Sequence, residues 1–251
     1  VIVEPHDLAR RLHLGAQDRV DTRETIEGED GLLDGDVADA RHNAAFLLDA
    51  QGNVIGHALK NKLLLVGEYL PGAAYYPWLY NKVLTRASIL TPGSQLAVLP
   101  FQGKPIGVTI CYEDIIPWLS YRLAQSKPQL LINLSNDGWF GKTDEPAGHL
   151  ALAKARCIEL RLYMVRSTST GVSAFIDPLG RVLRQSQQDG PETLLEEVAW
   201  MPGGTVFAVI GPYFSWLCVM LSVLWLGQSW RASRLSTKAS PSISATELRE
   251  H

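Results

Sequence analysis

The chain has 251 residues, 46% hydrophobic and 20% charged, with a net charge of −3 and a pI near 6.1. This supports a full hydrophobic core and excludes a disordered chain or a strongly basic nucleic-acid binder. Cys111, Cys157 and Cys218 lie too far apart for a disulfide framework, and without a CxxC pair or clustered histidines neither a metal site nor a cofactor is expected.

In chain order, residues 6–13 read as a short polar helical stretch with no charged-then-apolar leader before it, as in a piece of a longer protein. Residues 18–39 are acidic, glycine-containing and weakly periodic, and read as a long surface insertion. Two apolar runs, 43–48 and 54–59, are joined by Asp49-Ala50-Gln51-Gly52-Asn53, a hairpin signal. Residues 106–110 (IGVTI) and 130–134 (LLINL) predict buried strands. Helical spacing runs through 115–125 and 149–161, and 163–168 reads as a further strand. Residues 172–176 and 182–184 flank a turn at Asp177-Pro178-Leu179-Gly180. The mixture predicts an α/β or α+β layered domain over residues 1–204.

Residues 205–227 carry no charged side chain. About 20 helical residues cross a hydrocarbon core, so a transmembrane helix is expected over 205–228, with Trp216, Trp225 and Trp230 suited to near-interfacial positions. Gly211 and Pro212 interrupt its first third, and a buried core helix is the competing reading. Arg231, Arg234 and Lys238 follow, so residues 229–251 are expected as a polar cytoplasmic tail, Ser-rich and disordered from 239, with the large domain on the other face.

Cys111 directly follows the apolar run 106–110 and precedes Tyr112-Glu113-Asp114. A cysteine at a strand end, entering a helical turn, can present its sulfur in a cleft where backbone N–H groups favour the thiolate and bind an oxyanion. Taken alone, such a cysteine more often simply packs, as Cys157 and Cys218 are expected to do. In KNKLLLVGE, a lysine near a thiolate would favour ionisation, and Glu68 could orient it; spacing alone does not choose Lys60 over Lys62. Asn136-Asp137-Gly138 is a turn signal followed by aromatic Trp139 and Phe140 on a loop. His149 reads as structural, and Glu113 fits either the site or the acidic first turn of a helix.

Together these residues resemble the carbon–nitrogen hydrolase (nitrilase) superfamily, and within it the apolipoprotein N-acyltransferase branch. That branch shows K-x-x-L-V-P-F-G-E-Y-x-P, and residues 60–71 read KNKLLLVGEYLP, which selects Lys60. It also shows C-Y-E, N-D-x-W-F and R-A-x-E, and here stand CYE from Cys111, NDGWF from Asn136 and RCIE from Arg156. Asn43-Ala44-Ala45 matches a Y-N-S-A strand, with His42 for the tyrosine. The chain departs at Leu65-Val66 for Pro-Phe, at Glu145-Pro146-Ala147-Gly148-His149 for G-P-x-Q-H, and at Ser167-Thr168-Ser169-Thr170-Gly171 for A-T-N-T-G.

The resemblance implies a four-layer αββα sandwich and a cysteine nucleophile, Cys111. It implies Lys60 as oxyanion stabiliser, with Glu68, Tyr112 and Glu113 supporting the site or binding substrate. The general base of the family stands in a W-P-E motif; Glu4 lies too close to the strand-like residues 12–16 to fill that place, so the base is expected upstream of residue 1, with the family's N-terminal membrane helices. The implied reaction moves an acyl chain from a phospholipid, through a Cys111 thioester, to the N-terminal diacylglyceryl-cysteine of an apolipoprotein. The implied setting is a bacterial inner membrane with the catalytic domain on the periplasmic face; no nucleic acid is involved. The alternatives are a membrane-tethered amidase or nitrilase acting on a small amide, and a catalytically silent membrane-anchored module.

Overall fold

The computed structural model describes residues 2–3, 12–20, 42–71, 90–96, 98–138, 141, 143–188 and 191–238. By contact density the chain divides into Val1–Val209 and Ile210–His251.

The first unit is built on two sheets. β1 (Ile2–Val3), β2 (Leu12–Val20), β3 (His42–Leu48) and β4 (Val54–Leu59) form an antiparallel meander in chain order. The second sheet holds β5 (Val98–Phe101), β6 (Lys104–Ile110), β7 (Leu130–Ser135), β8 (Met164–Thr168), β9 (Ala174–Ile176) and β10 (Val182–Gln185). Its order is β10-β9-β8-β7-β6-β5, and only β6–β7 and β7–β8 are parallel. Those parallel pairs need crossovers. Between β6 and β7 run a 3-10 helix (Cys111–Ile115) and α1 (Pro117–Gln125); between β7 and β8 runs α2 (Glu145–Leu160).

Side-chain alternation sorts the core into two layers. Leu130, Ile132 and Leu134 of β7 and Val165 of β8 pack with Ala45, Leu47 and Ala58 of the first sheet, filling the space between sheets. Leu131 and Met164 face the other way, onto Leu150, Ala153, Cys157 and Leu160 of α2. The α2 residues repeat at helical spacing and form its buried stripe. Every residue of β7 is buried, as a central strand covered on both faces must be. Sheet, sheet and helix account for three of the four expected layers; the fourth is not among the described residues.

The hairpin appears as β3–β4, closed by Asp49, whose carboxylate accepts the N–H groups of Gln51 and Asn53 at 2.9 and 2.8 Å. Expected helix 149–161 starts a turn earlier, at Glu145, and 115–125 divides into the 3-10 helix and α1. The polar helical stretch 6–13 is corrected at its end: Leu12 and His13 are strand, paired with Val3 and Ile2. The insertion 18–39 is likewise corrected at its start, since residues 18–20 belong to β2. Residues 6–11, 21–39 and the tail from 239 lie outside the described residues.

The expected transmembrane helix over 205–228 is a correction. Residues 206–210 form a short α3 (Val206–Ile210), and the chain then turns at Gly211 (φ 63°) and Pro212 before α4 (Tyr213–Lys238) begins. α4 dilutes its apolar run with Ser215, Ser222, Gly227, Gln228 and Ser229. No helix among the described residues is long and apolar enough to cross a membrane. The orientation drawn from Arg231, Arg234 and Lys238 therefore lacks the span on which it rests. The apolar side chains of α4, including Phe214, Trp216, Val223 and Trp225, are exposed.

Candidate active site

In open sheets ligand sites gather at the carboxyl ends of parallel strands. Cys111 stands at that end of β6, and Asn136 and Asp137 follow that end of β7. Cys111 has φ 55°, a left-handed conformation that costs a non-glycine residue about 1–2 kcal/mol. The turn breaks the strand sharply, and Asn133 of β7 holds it by donating from Nδ2 to the Cys111 carbonyl at 3.1 Å.

Lys60 reaches this point from the other sheet. It follows β4, where its N–H donates to the Asn43 carbonyl and its carbonyl accepts from Gly93, both at 2.8 Å. Its side chain is 1% exposed and its ammonium donates to Glu68 Oε1 at 2.8 Å. The same oxygen accepts Asn43 Nδ2 at 3.3 Å, and Glu68 Oε2 accepts the Leu64 N–H at 2.7 Å. One carboxylate thus orients the lysine and closes the 64–69 turn. Lys62 is exposed, so the structure separates the two lysines that spacing left equal.

Glu113 ties the two segments together. Its Oε1 accepts the N–H groups of Asn61 and Lys62 at 2.6 and 2.9 Å, and Oε2 accepts that of Ile110 at 2.8 Å. It is buried, and burial raises its pKa despite those three donors and the Lys60 charge. The two roles weighed for Glu113 resolve into a brace between the lysine strand and the cysteine elbow. Burial also raises the Cys111 thiol; the Lys60 charge and the Ser135 hydroxyl pull it back toward the thiolate, and Glu68 opposes them.

Beneath the elbow lies a charged cluster that sequence reasoning did not assemble. Arg166 of β8, 1% exposed, donates from Nη1 to Asp114 Oδ2 at 2.5 Å and Asn133 Oδ1 at 2.6 Å, and from Nη2 to Asp137 Oδ2 at 3.1 Å. His149 of α2 donates from Nε2 to Asp114 Oδ1 at 2.8 Å and from Nδ1 to Asp137 Oδ1 at 3.1 Å. Burial alone would lower the His149 pKa, but the two carboxylates outweigh it and push it up to about 9. An imidazolium donating from both nitrogens satisfies both carboxylates, so the 3.0 Å approach of Arg166 Nη2 to Nδ1 is a like-charge contact. Burial likewise opposes ionisation of Asp137, yet His149, Arg166 and Ser135 hold it below the usual carboxylate range. Two cations and two anions balance with almost no solvent contact.

Tyr112 joins this cluster to the cysteine. Its ring stacks on His149 with centroids 4.3 Å apart and planes at 3°, and its hydroxyl donates to Glu145 Oε1. Burial, then Glu145, pushes its pKa up. Gly171 (φ 108°) lets the next loop close over Asp137, where a Cβ would fall 2.5 Å from Oδ2. Lys60, Glu68, Cys111, Tyr112 and Glu113 are therefore brought into one neighbourhood. Trp139 and Phe140 lie outside the described residues. The missed members, Asp114, Asn133, Asp137 and Arg166, had one available signal: an arginine inside the apolar run 163–166, which burial tolerates only when paired.

A cavity of about 410 Å³ lies elsewhere, lined by Gln125, Lys127, Leu160, Leu162 and Val209 among others. It contains no thiol or carboxylate and is not the candidate site. The described residues include no group of three or more histidine, cysteine or acidic residues that could hold a metal ion.

The chain is 34% identical over 177 residues to an apolipoprotein N-acyltransferase of Geobacter metallireducens, covering 70% of this chain and 34% of that protein. It is 41% identical over 150 residues to the protein of that name from Bdellovibrio bacteriovorus, covering 58% and 27%. A third, from Bradyrhizobium diazoefficiens, is 36% identical over 188 residues, covering 73% and 34%. The chain thus spans about a third of the length of these curated relatives. Among solved structures, a carbon-nitrogen hydrolase from Helicobacter pylori G27 aligns with a TM-score of 0.47 at 16% identity, covering 61% of this chain and 55% of that one. An amidase from Nesterenkonia sp. aligns at 0.44 and 21%, covering 60% and 52%. The carbon-nitrogen hydrolase family matches residues 25–201, which takes in the lysine, both glutamates and the cysteine elbow, and to this family the chain belongs.

Proposed function

We propose that the chain is the acyl-transferring part of an apolipoprotein N-acyltransferase, with Cys111 as its nucleophile. The observation that carries the reading is the Cys111 elbow at the end of β6, braced by Glu113 against the buried Lys60–Glu68 pair. The thiolate attacks the acyl ester of a phospholipid, Lys60 and backbone N–H groups stabilise the oxyanion, and the lysophospholipid leaves. The α-amine of an apolipoprotein's diacylglyceryl-cysteine then takes the acyl group from the thioester. Glu68 orients Lys60, and Tyr112 and Glu113 shape the pocket. Glu68 and Glu113 are each occupied by three donors, so neither is assigned as the thiol's proton acceptor.

Both substrates are lipids, so the reaction belongs at a membrane, and the exposed apolar side chains of α4 suit contact with lipid. We place the site on the outer face of the bacterial plasma membrane, as the likeness to N-acyltransferases suggests. The test is the intact mass of the full-length protein in detergent after incubation with phospholipid. A hydroxylamine-sensitive acyl adduct on Cys111 is expected. Its absence from folded protein would refute the reading and favour hydrolysis of a small amide or a silent module.

A further inference from the structure

We propose that Glu145 receives the acceptor amine in the second half of the reaction, binding its ammonium and taking a proton from it. The inference rests on the acyl-enzyme reading above and adds a residue to it. Glu145 opens α2, and its Oε1 is engaged by the hydroxyl of Tyr112, the residue next to Cys111. Its Oε2 is shielded from solvent and has no hydrogen-bond partner among the described residues. A carboxylate oxygen out of water and unpaired is costly and calls for a donor. Glu68 and Glu113 offer no such oxygen, because each already accepts at both. Glu159 has one, but it lies 14 residues further along α2, about 21 Å by helical rise.

An ordinary acidic residue in a first helical turn gains from the helix dipole while staying in water. Glu145 instead turns inward beneath a tyrosine that is stacked on His149. The family resemblance has glycine at this place and glutamine at 148. Here the long polar side chain stands at 145, and Gly148, one turn on, opens onto free space with nothing within 4 Å of where a Cβ would lie. The arrangement is one of the places where this chain departs from the family pattern.

A primary amine arrives as its ammonium and must lose a proton before it can attack. Glu145 takes that proton. The nitrogen lone pair forms the N–C bond at the thioester carbonyl, the C–S bond breaks, and a second proton passes from nitrogen to the departing Cys111 sulfur. The products are the amide, the free thiol and a protonated Glu145, which returns its proton to water.

The test separates the half-reactions in the full-length protein. Wild type, E145Q and E145G are acylated with vesicles of phosphatidylglycerol and phosphatidylethanolamine, and acyl-enzyme formation is timed by intact mass. A diacylglyceryl lipopeptide with a free α-amine is then added, and in parallel hydroxylamine, a nucleophile already unprotonated at neutral pH. E145Q and E145G are expected to acylate at the wild-type rate and to react normally with hydroxylamine. Both should transfer to the lipopeptide about 100-fold more slowly, the loss of one proton acceptor. Equal transfer by all three proteins would overturn the inference, as would equal slowing of acylation, hydroxylaminolysis and transfer. If wild type forms no acyl-enzyme, the acyl-transfer reading itself fails and takes this inference with it.

Discussion

Replacing Lys60 with methionine removes one ammonium and keeps the apolar stem. Lys60 is 1% exposed, so its charge acts on Cys111 with little screening by water. It is the largest influence opposing the burial that raises the thiol. A close opposite charge lowers a pKa by about 1–3 units, so Lys60→Met should move the Cys111 midpoint up by about one unit or more. Below the midpoint each unit removes about nine-tenths of the thiolate, so alkylation by iodoacetamide at fixed pH should slow about tenfold or more. Glu68 raises the same thiol, so Glu68→Gln should move the midpoint the other way. Stability should also fall, by about 3–5 kcal/mol for a buried pair robbed of one partner. The double variant should lose less than the sum, because it leaves no uncompensated carboxylate. The assay is the rate of mass gain from iodoacetamide at a fixed pH of about 8, below the raised midpoint, where the rate follows the thiolate fraction and so reports any movement of that midpoint. An unchanged or lowered midpoint in Lys60→Met would refute the claim that this lysine acts on this thiol.

Three further outcomes are expected. Gly171→Ala should cost about 2–4 kcal/mol in urea unfolding, since its φ of 108° strains any L side chain and the new Cβ meets Asp137 at 2.5 Å; a loss under about 0.5 kcal/mol would contradict the close approach. His149 has its folded pKa raised from 6.5 to about 9, so its stabilising contribution is complete below about pH 6.5 and fades as pH rises through about 9. His149→Gln should flatten that part of the stability curve, and an unaltered curve would mean that the imidazolium is not what the two aspartates hold. Cys111→Gly should unfold at higher urea than Cys111→Ala, by about 1 kcal/mol, because glycine relieves the left-handed backbone at φ 55°; the reverse order would show that the elbow is unstrained.

Much of the candidate site was legible because its residues are punctuation as well as chemistry. Cys111 ends an apolar strand, Glu68 closes a turn, and Asn136 accepts the Gly138 N–H at 3.1 Å in the turn its sequence announces. Periodicity also found β3, β4, β6 and β7, whose apolar runs are bounded by turn residues. The Asp114–Asp137–His149–Arg166 cluster was illegible because its members come from four separate elements, and only the fold sets them side by side. β5 escaped notice because Val98–Phe101 is four residues long and includes a proline. The apolar stretch 205–227 misled because charge absence was weighed above the helix break at Gly211 and Pro212, where φ turns positive and the helix stops.

Glu113 has a consequence for how reactivity arises during folding. Its two oxygens fasten residues 61 and 62, which follow the first sheet, to Ile110 at the edge of the cysteine turn in the second. The lysine and the thiol therefore belong to opposite halves of the sandwich, and neither half holds a complete pair. A partly opened chain parts the thiol from its ammonium but also frees it from the burial that raises its pKa, leaving an ordinary solvated cysteine. The charge set against that burial is in place only when the two sheets are closed, so the balance that tunes the thiol belongs to the finished sandwich and to neither half alone.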